Sequence, residues 1–126
     1  MKSEQDIEKL EKLIGQLKAL HSEISVLSKK SPSDAVNDFK LRLVNKCLAA
    51  GNDVLGADYK PFDDFDAFDS DDMPSNSDVT MVIAQYLEEA ERYRSDNVTV
   101  SGGYYYYKIN GEQSSVRSAP PTWSKK

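Results

Sequence analysis

The sequence predicts a mainly α-helical bundle: a long antiparallel helical hairpin plus a third helix, with a C-terminal β-hairpin and an extended tail. Three observations predict it. Apolar residues recur at three- and four-residue steps through two long stretches and one shorter one before residue 97. Capping and proline signals punctuate those stretches. Beyond residue 97 the pattern gives way to a tyrosine run followed by Asn110-Gly111, the preferred two-residue hairpin turn. We read residues 1–97 as a helical bundle, with helices at about 3–29, 32–55 and 75–95 and an acidic loop at 57–74. Residues 98–126 form the hairpin and tail of the same single domain.

The first helix opens at Ser3, a capping residue, with Glu4 and Asp6 at the positive helix end. Ile7, Leu10, Ile14, Leu17, His21 and Ile24 make one stripe, and Leu13, Leu20 and Leu27 a second beside it. The combined face is wider than a coiled-coil seam, which predicts more than one neighbour and self-association, most simply as a two-fold dimer. Gly15 falls on the polar side, where it weakens the helix. Ser31-Pro32-Ser33-Asp34 reads as a restart: a cap, then proline at the first helical position, then acid in the first turn. In the second helix Val36, Phe39, Leu43, Cys47 and Ala50 form one face, widened by Leu41, Val44 and Leu48. Gly56 is expected to end it as the left-handed residue.

The periodicity then breaks. Phe62, Phe65 and Phe68 are three apart, predicting a short helix from Pro61 that pins the loop to the bundle while its acids face water. Ser75 to Asp78 caps the third helix. Val79, Val82, Ile83, Tyr86, Leu87, Ala90 and Tyr93 share its buried face, and Glu88, Glu89, Glu91 and Arg92 fall outside it. In the simplest hairpin register Ile109 faces Glu112, Tyr107 faces Ser114, and Tyr105 lies with Val116. Such a hairpin is marginal alone and must dock on something. Removal of residues 101–126 is expected to leave the helices folded.

Net charge is −5, and Asp63, Asp64, Asp66, Asp69, Asp71 and Asp72 carry −6 with no base among them. The rest of the chain is therefore near neutral, and its tail is mildly basic. Net acidity argues against nucleic-acid binding by the whole surface. A single cysteine, Cys47, precludes an internal disulfide and fits a reducing compartment. The charged start is unlike a signal peptide, and no apolar run has the length of a membrane span. The expectation is a cytoplasmic protein that does not contact membrane.

No phosphate loop, dinucleotide fingerprint, paired Cys-x-x-Cys, zinc-protease motif or nucleophile elbow is present, so no catalytic residue, metal ligand or cofactor is assigned. His21, the only histidine, lies among leucines, and Cys47 on a packed face; both read as structural, against a remote alternative of a His21–Cys47 dyad. The aspartate cluster lacks the glycine and terminal glutamate of a calcium loop and reads as solvated. The candidate binding residues are Tyr104, Tyr106, Lys108, Arg117 and Trp123, because tyrosine, tryptophan and arginine are the side chains of interface anchors. The aspartates are a secondary acidic surface. The expected function is non-enzymatic: an adaptor, antitoxin-like protein or inhibitor that binds a protein partner through tail and acidic loop. The alternative is a nucleotide or short nucleic acid bound only through the tail, by tyrosine stacking with Lys108 and Arg117 at phosphate.

Overall fold

The computed structural model describes residues 1–122. It is a three-helix bundle with a three-stranded antiparallel sheet at its C-terminal end. In order come α1 (Glu4–Lys30), α2 (Asp38–Tyr59), a 3₁₀ turn at Ser70–Asp72, α3 (Asn76–Asp96), β1 (Val98–Ser101), β2 (Tyr104–Ile109) and β3 (Glu112–Ser118). Among the described residues no helix is long and apolar enough to cross a membrane.

α1 follows its sequence signals. The Ser3 hydroxyl accepts from the Asp6 N–H, and Lys29 and Lys30 close the far end, where cations favour the helix dipole. Ile7, Leu10, Leu13, Ile14, Leu17 and Ile24 are buried; His21, Leu20 and Leu27 are half-buried. The wide stripe is used within one chain, chiefly against α3 and secondarily against α2.

α2 does not start at Pro32. It starts at Asp38, capped by Asn37, whose Oδ1 accepts from the Lys40 N–H at 2.8 Å. The preceding segment is held extended by the entry to α3. Val36 N–H donates to the Pro74 carbonyl, Asn76 N–H to that of Asp34, and Ser77 N–H to that of Pro32. The last two satisfy amides that α3's first turn leaves without helical partners. A strong local signal thus yields to a long-range clasp.

The buried face of α2 also differs from the expected one. Leu41, Val44, Cys47, Leu48, Gly51 and Leu55 are buried, whereas Phe39 is 63% and Leu43 42% exposed. At the far end Gly56 does take a positive φ of 63°, yet the helix only kinks there and gains a turn to Tyr59. That turn is held by Tyr59 stacking on Tyr93 with centroids 4.7 Å apart, and by its hydroxyl donating to Asp96 at 2.6 Å.

No helix forms from Pro61. Asn45 receives the Phe68 N–H and donates to the Phe68 carbonyl, and Asn52 donates to the Asp66 carbonyl, so the loop's backbone is bonded to α2 rather than to itself. Phe62, Phe65 and Phe68 still pin the loop, half-buried against the core and edge-on to one another.

The expected hairpin is present, with β1 as an additional strand. Val98–Ser101 pairs with β2 through a turn at Gly102-Gly103, both at positive φ, and Asn110-Gly111 makes the second turn in the same way. Ile109 faces Glu112 as expected, but Tyr105 pairs with Ser118 and Tyr106 with Arg117. β3 therefore carries extra residues opposite Tyr107. Ser114 bridges this bulge: its hydroxyl donates to the Tyr107 carbonyl at 2.7 Å and accepts from the Val116 N–H.

The two helical glycines make opposite predictions. A β-carbon on Gly15 meets nothing within 4 Å, so Gly15→Ala should stabilise the fold by up to about 1 kcal/mol through helix propensity. One on Gly51 lies 3.0 Å from Tyr86 Cδ2, and Tyr86 is fully buried with its hydroxyl donating to Asn52 at 2.6 Å. The ring has no room to yield, so Gly51→Ala should destabilise by about 1 kcal/mol despite the better helix former. Urea denaturation of both variants checks the sign of each.

Candidate functional site

Strand alternation divides the tyrosine run into two faces. Tyr107 points at the helices and is fully buried, with Val98, Ile109 and Val116 packed against the same core. Tyr104, Tyr106 and Lys108 therefore point to the opposite face, and Arg117, paired with Tyr106, shares it. Four of the five residues singled out from the sequence are thus gathered on one side of the sheet; Trp123 lies outside the described residues. Tyr104 is 51% exposed, and the Arg117 guanidinium lies over its ring, 3.9 Å from the centroid. That cation–π contact fixes the arginine and occupies one face of the tyrosine.

The inner face anchors this surface. Tyr107 donates its hydroxyl proton to Glu11 Oε1 on α1. The other oxygen of Glu11 meets Arg94 Nη2 at 3.2 Å, Arg94 Nη1 lies 3.7 Å from Glu91, and Lys18 approaches Glu91 at 3.8 Å. Arg94 and Glu91 are each only 3% exposed. Glu91 was expected outside the buried face; the charge of Arg94 one turn on, together with Lys18, allows it inside. Asn110 N–H donates to the Met1 carbonyl and Lys108 N–H to the Asn97 carbonyl, so the sheet is bound at both its root and its turn. The expectation that residues 101–126 can be removed with the helices intact meets a cost here: their loss would uncover the core at Tyr107 and take from Glu11 the hydroxyl from which it accepts.

The acidic loop is displayed as expected. All six aspartates are exposed; Asp66 pairs with Lys60, and Asp69 accepts from the Asp71 N–H to start the 3₁₀ turn. Among the described residues no group of three or more histidine, cysteine, aspartate or glutamate side chains is placed to hold a metal ion.

His21 and Cys47 are separated. His21 faces α3 beside Leu87, Glu88 and Glu91 in a shallow pocket, whereas Cys47 faces the opposite side of α1, between α1 and α2. Burial pushes the Cys47 thiol up to about 11, the reverse of an activated nucleophile.

The polar network around the buried Arg94, Glu91 and Tyr107 is what sequence reasoning missed. Its signal was faint: Tyr107 shares a face with Ile109 in β2, and Glu91 and Arg94 are three apart in α3. No protein-family model matches the chain, and comparison with curated proteins and with solved structures finds no similar protein.

The network sets a pH response. Burial, reinforced by the Glu11 carboxylate, raises the Tyr107 phenol from 10.0 to about 12; burial and the Asp96 carboxylate raise Tyr59 likewise. Cys47 rises from 9.0. Each group holds its proton more tightly when folded, so its contribution is complete below the unfolded value and lost as pH climbs through the folded one. The melting temperature should be flat from neutrality to about pH 9 and fall between about pH 10 and 12. Tyr107→Phe should cost about 1–2 kcal/mol at neutral pH, from the lost bond to a carboxylate, and should shallow that alkaline fall. Thermal melts across the pH range read both effects.

Proposed function

We propose that this chain is a non-enzymatic interaction protein, an adaptor or inhibitor, that binds a protein partner through the outer face of its C-terminal sheet. The observation that carries the reading is the division of labour in β2. Tyr107 does the packing, while Tyr104, Tyr106 and Lys108, with Arg117, are held on the solvent side by a rigidly docked strand. A preorganised aromatic and arginine surface loses little side-chain entropy on binding. The exposed aspartates of the acidic loop serve as a second, electrostatic surface that favours a basic partner. The raised Cys47 thiol and, among the described residues, the lack of a hydrogen-bonded orienting group at His21 support a role without catalysis.

A nucleotide or short nucleic acid is the second reading. Arg117 over Tyr104 weighs against it, because a stacking base would have to displace the guanidinium from that ring face or use the half-buried Tyr106. Self-association belongs to the proposal as well. Its natural site is the edges of β1 and β3 rather than the α1 stripe of Ile7, Leu10, Ile14, Leu17 and Ile24, which is buried within the same chain. We place the protein in the cytoplasm, in keeping with its one reduced cysteine.

Point variants on the outer face test the reading. Tyr104→Ala and Arg117→Glu change exposed residues and should alter stability by no more than about 0.5 kcal/mol. The double variant should lose capture of the protein partner that wild type retains from native lysate, with affinity for the purified partner falling about 100-fold or more. Undiminished affinity would remove the sheet face from the proposal. A titration of nucleotides followed by tyrosine fluorescence and thermal shift separates the second reading, which a saturable response lost in the same variant would favour.

A further inference from the structure

The helices α1 and α2 are consecutive and antiparallel, yet each packs more extensively on α3 than on the other. Tyr86 of α3 explains this: its ring lies at Gly51 of α2, close to Leu13 of α1, so α3 fills the space between the pair on one side. On the other side the pair parts into an open groove of about 700 Å³. Lining residues run from Lys9 to Leu20 on α1 and from Leu43 to Val54 on α2, at the same three- and four-residue steps on both helices. The groove is therefore straight and about 17 Å long at the helical rise per residue. Its floor is apolar, made by Leu13, Leu20, Leu43, Cys47 and Val54.

Three lysines, Lys9, Lys12 and Lys46, line its sides against one carboxylate, Asp53. None of the three lysines forms an ion pair among the described residues, as is true of Lys2, Lys29, Lys30 and Lys108, so all three charges are available at the groove. We propose that this groove binds an amphipathic α-helix of a protein partner whose apolar stripe is flanked by acidic residues. Two antiparallel helices and α3 behind them make three members of a four-helix bundle, and the groove is the seat of the fourth. A helix of about three turns fills its length and reads it through residues at i, i+3, i+4 and i+7. The unpaired lysines select acidic flanks. They also disfavour a second copy of this chain, which would bring the same lysine-rich sides against them. This surface is separate from the outer sheet face, and neither proposal depends on the other.

The test uses the full chain and a pair of fluorescent synthetic peptides of about 14 residues, each a helix with a leucine stripe, one flanked by glutamate and its twin by lysine. Fluorescence anisotropy should show saturable binding of the glutamate peptide and at least about tenfold weaker binding of the lysine twin. Lys9, Lys12, Lys46 and Ala50 are all exposed, so their substitution leaves the core intact, as circular dichroism would verify. The triple variant K9E/K12E/K46E should reverse the preference between the peptides, and Ala50→Trp, which fills the groove, should abolish binding of both. Absence of binding by the glutamate peptide, equal binding of the twins, or binding that survives Ala50→Trp would overturn the proposal. So would sedimentation showing a dimer that Ala50→Trp dissociates, since a second copy would then occupy the groove.

Discussion

Arg94 is the charge on which the arrangement of helices and sheet depends. It is buried near the end of α3, where β1 begins, and a buried guanidinium is tolerated only if carboxylates face it. Glu11 supplies one from α1 and Glu91 another from α3 itself, with Lys18 balancing the second acid. Removing Glu11 would leave the buried guanidinium without its nearest carboxylate; because Glu11 is itself 44% exposed, the cost lies between that of a surface pair and that of a fully buried one. Glu11 is shared: one oxygen faces Arg94 and the other accepts from Tyr107. The same carboxylate therefore ties α1, α3 and the sheet together. Any relative shift of sheet and bundle would leave a charge uncompensated, which gives the contact a defined geometry as well as energy.

That geometry reaches the surface through a single strand. A three-stranded sheet of short strands has little stability of its own. Burying Tyr107 and Ile109 on the inner face supplies what is missing, and alternation then obliges Tyr104, Tyr106 and Lys108 to face outward. The bulge opposite Tyr107 contributes. By absorbing extra residues in β3 it brings Arg117, rather than Ser115, across from Tyr106, and so within reach of the Tyr104 ring. A run of four tyrosines is ambiguous as sequence; docking one of them resolves the roles of the rest.

The features legible in the sequence are those governed by nearby residues. The Ser3 and Ser75 caps, the α1 stripe and the Asn110-Gly111 turn all depend on contacts within a few positions, and each appears where local chemistry puts it. The start of α2 was not legible, because the carbonyls of Pro32 and Asp34 are claimed by amides more than forty residues on. β1 had a signal in Val98-Thr99-Val100 before two glycines, but the glycine pair also reads as a flexible joint, and only pairing with β2 decides. The outer-face residues were legible as types; their meeting on one face required the register. The burial of Glu91 was hidden because a glutamate is placed outside by default, until its partners are known.

The rotation of α2 follows from one small residue. Gly51 lets the Tyr86 ring approach the helix axis more closely than any side chain would allow, and the Tyr86 hydroxyl then bonds to Asn52. α2 thereby turns Val44, Leu48 and Gly51 into the core and leaves Phe39 and Leu43, the other stripe its sequence offers, exposed. Periodicity alone cannot choose between two overlapping apolar faces; the larger buried ring does. The rejected face must then lie outward, and α1, held by α3 and by Glu11, cannot swing across to cover it. The groove between α1 and α2 is thus a direct consequence of how the core is filled, and its exposed leucine is the cost of seating a tyrosine at the centre of the bundle.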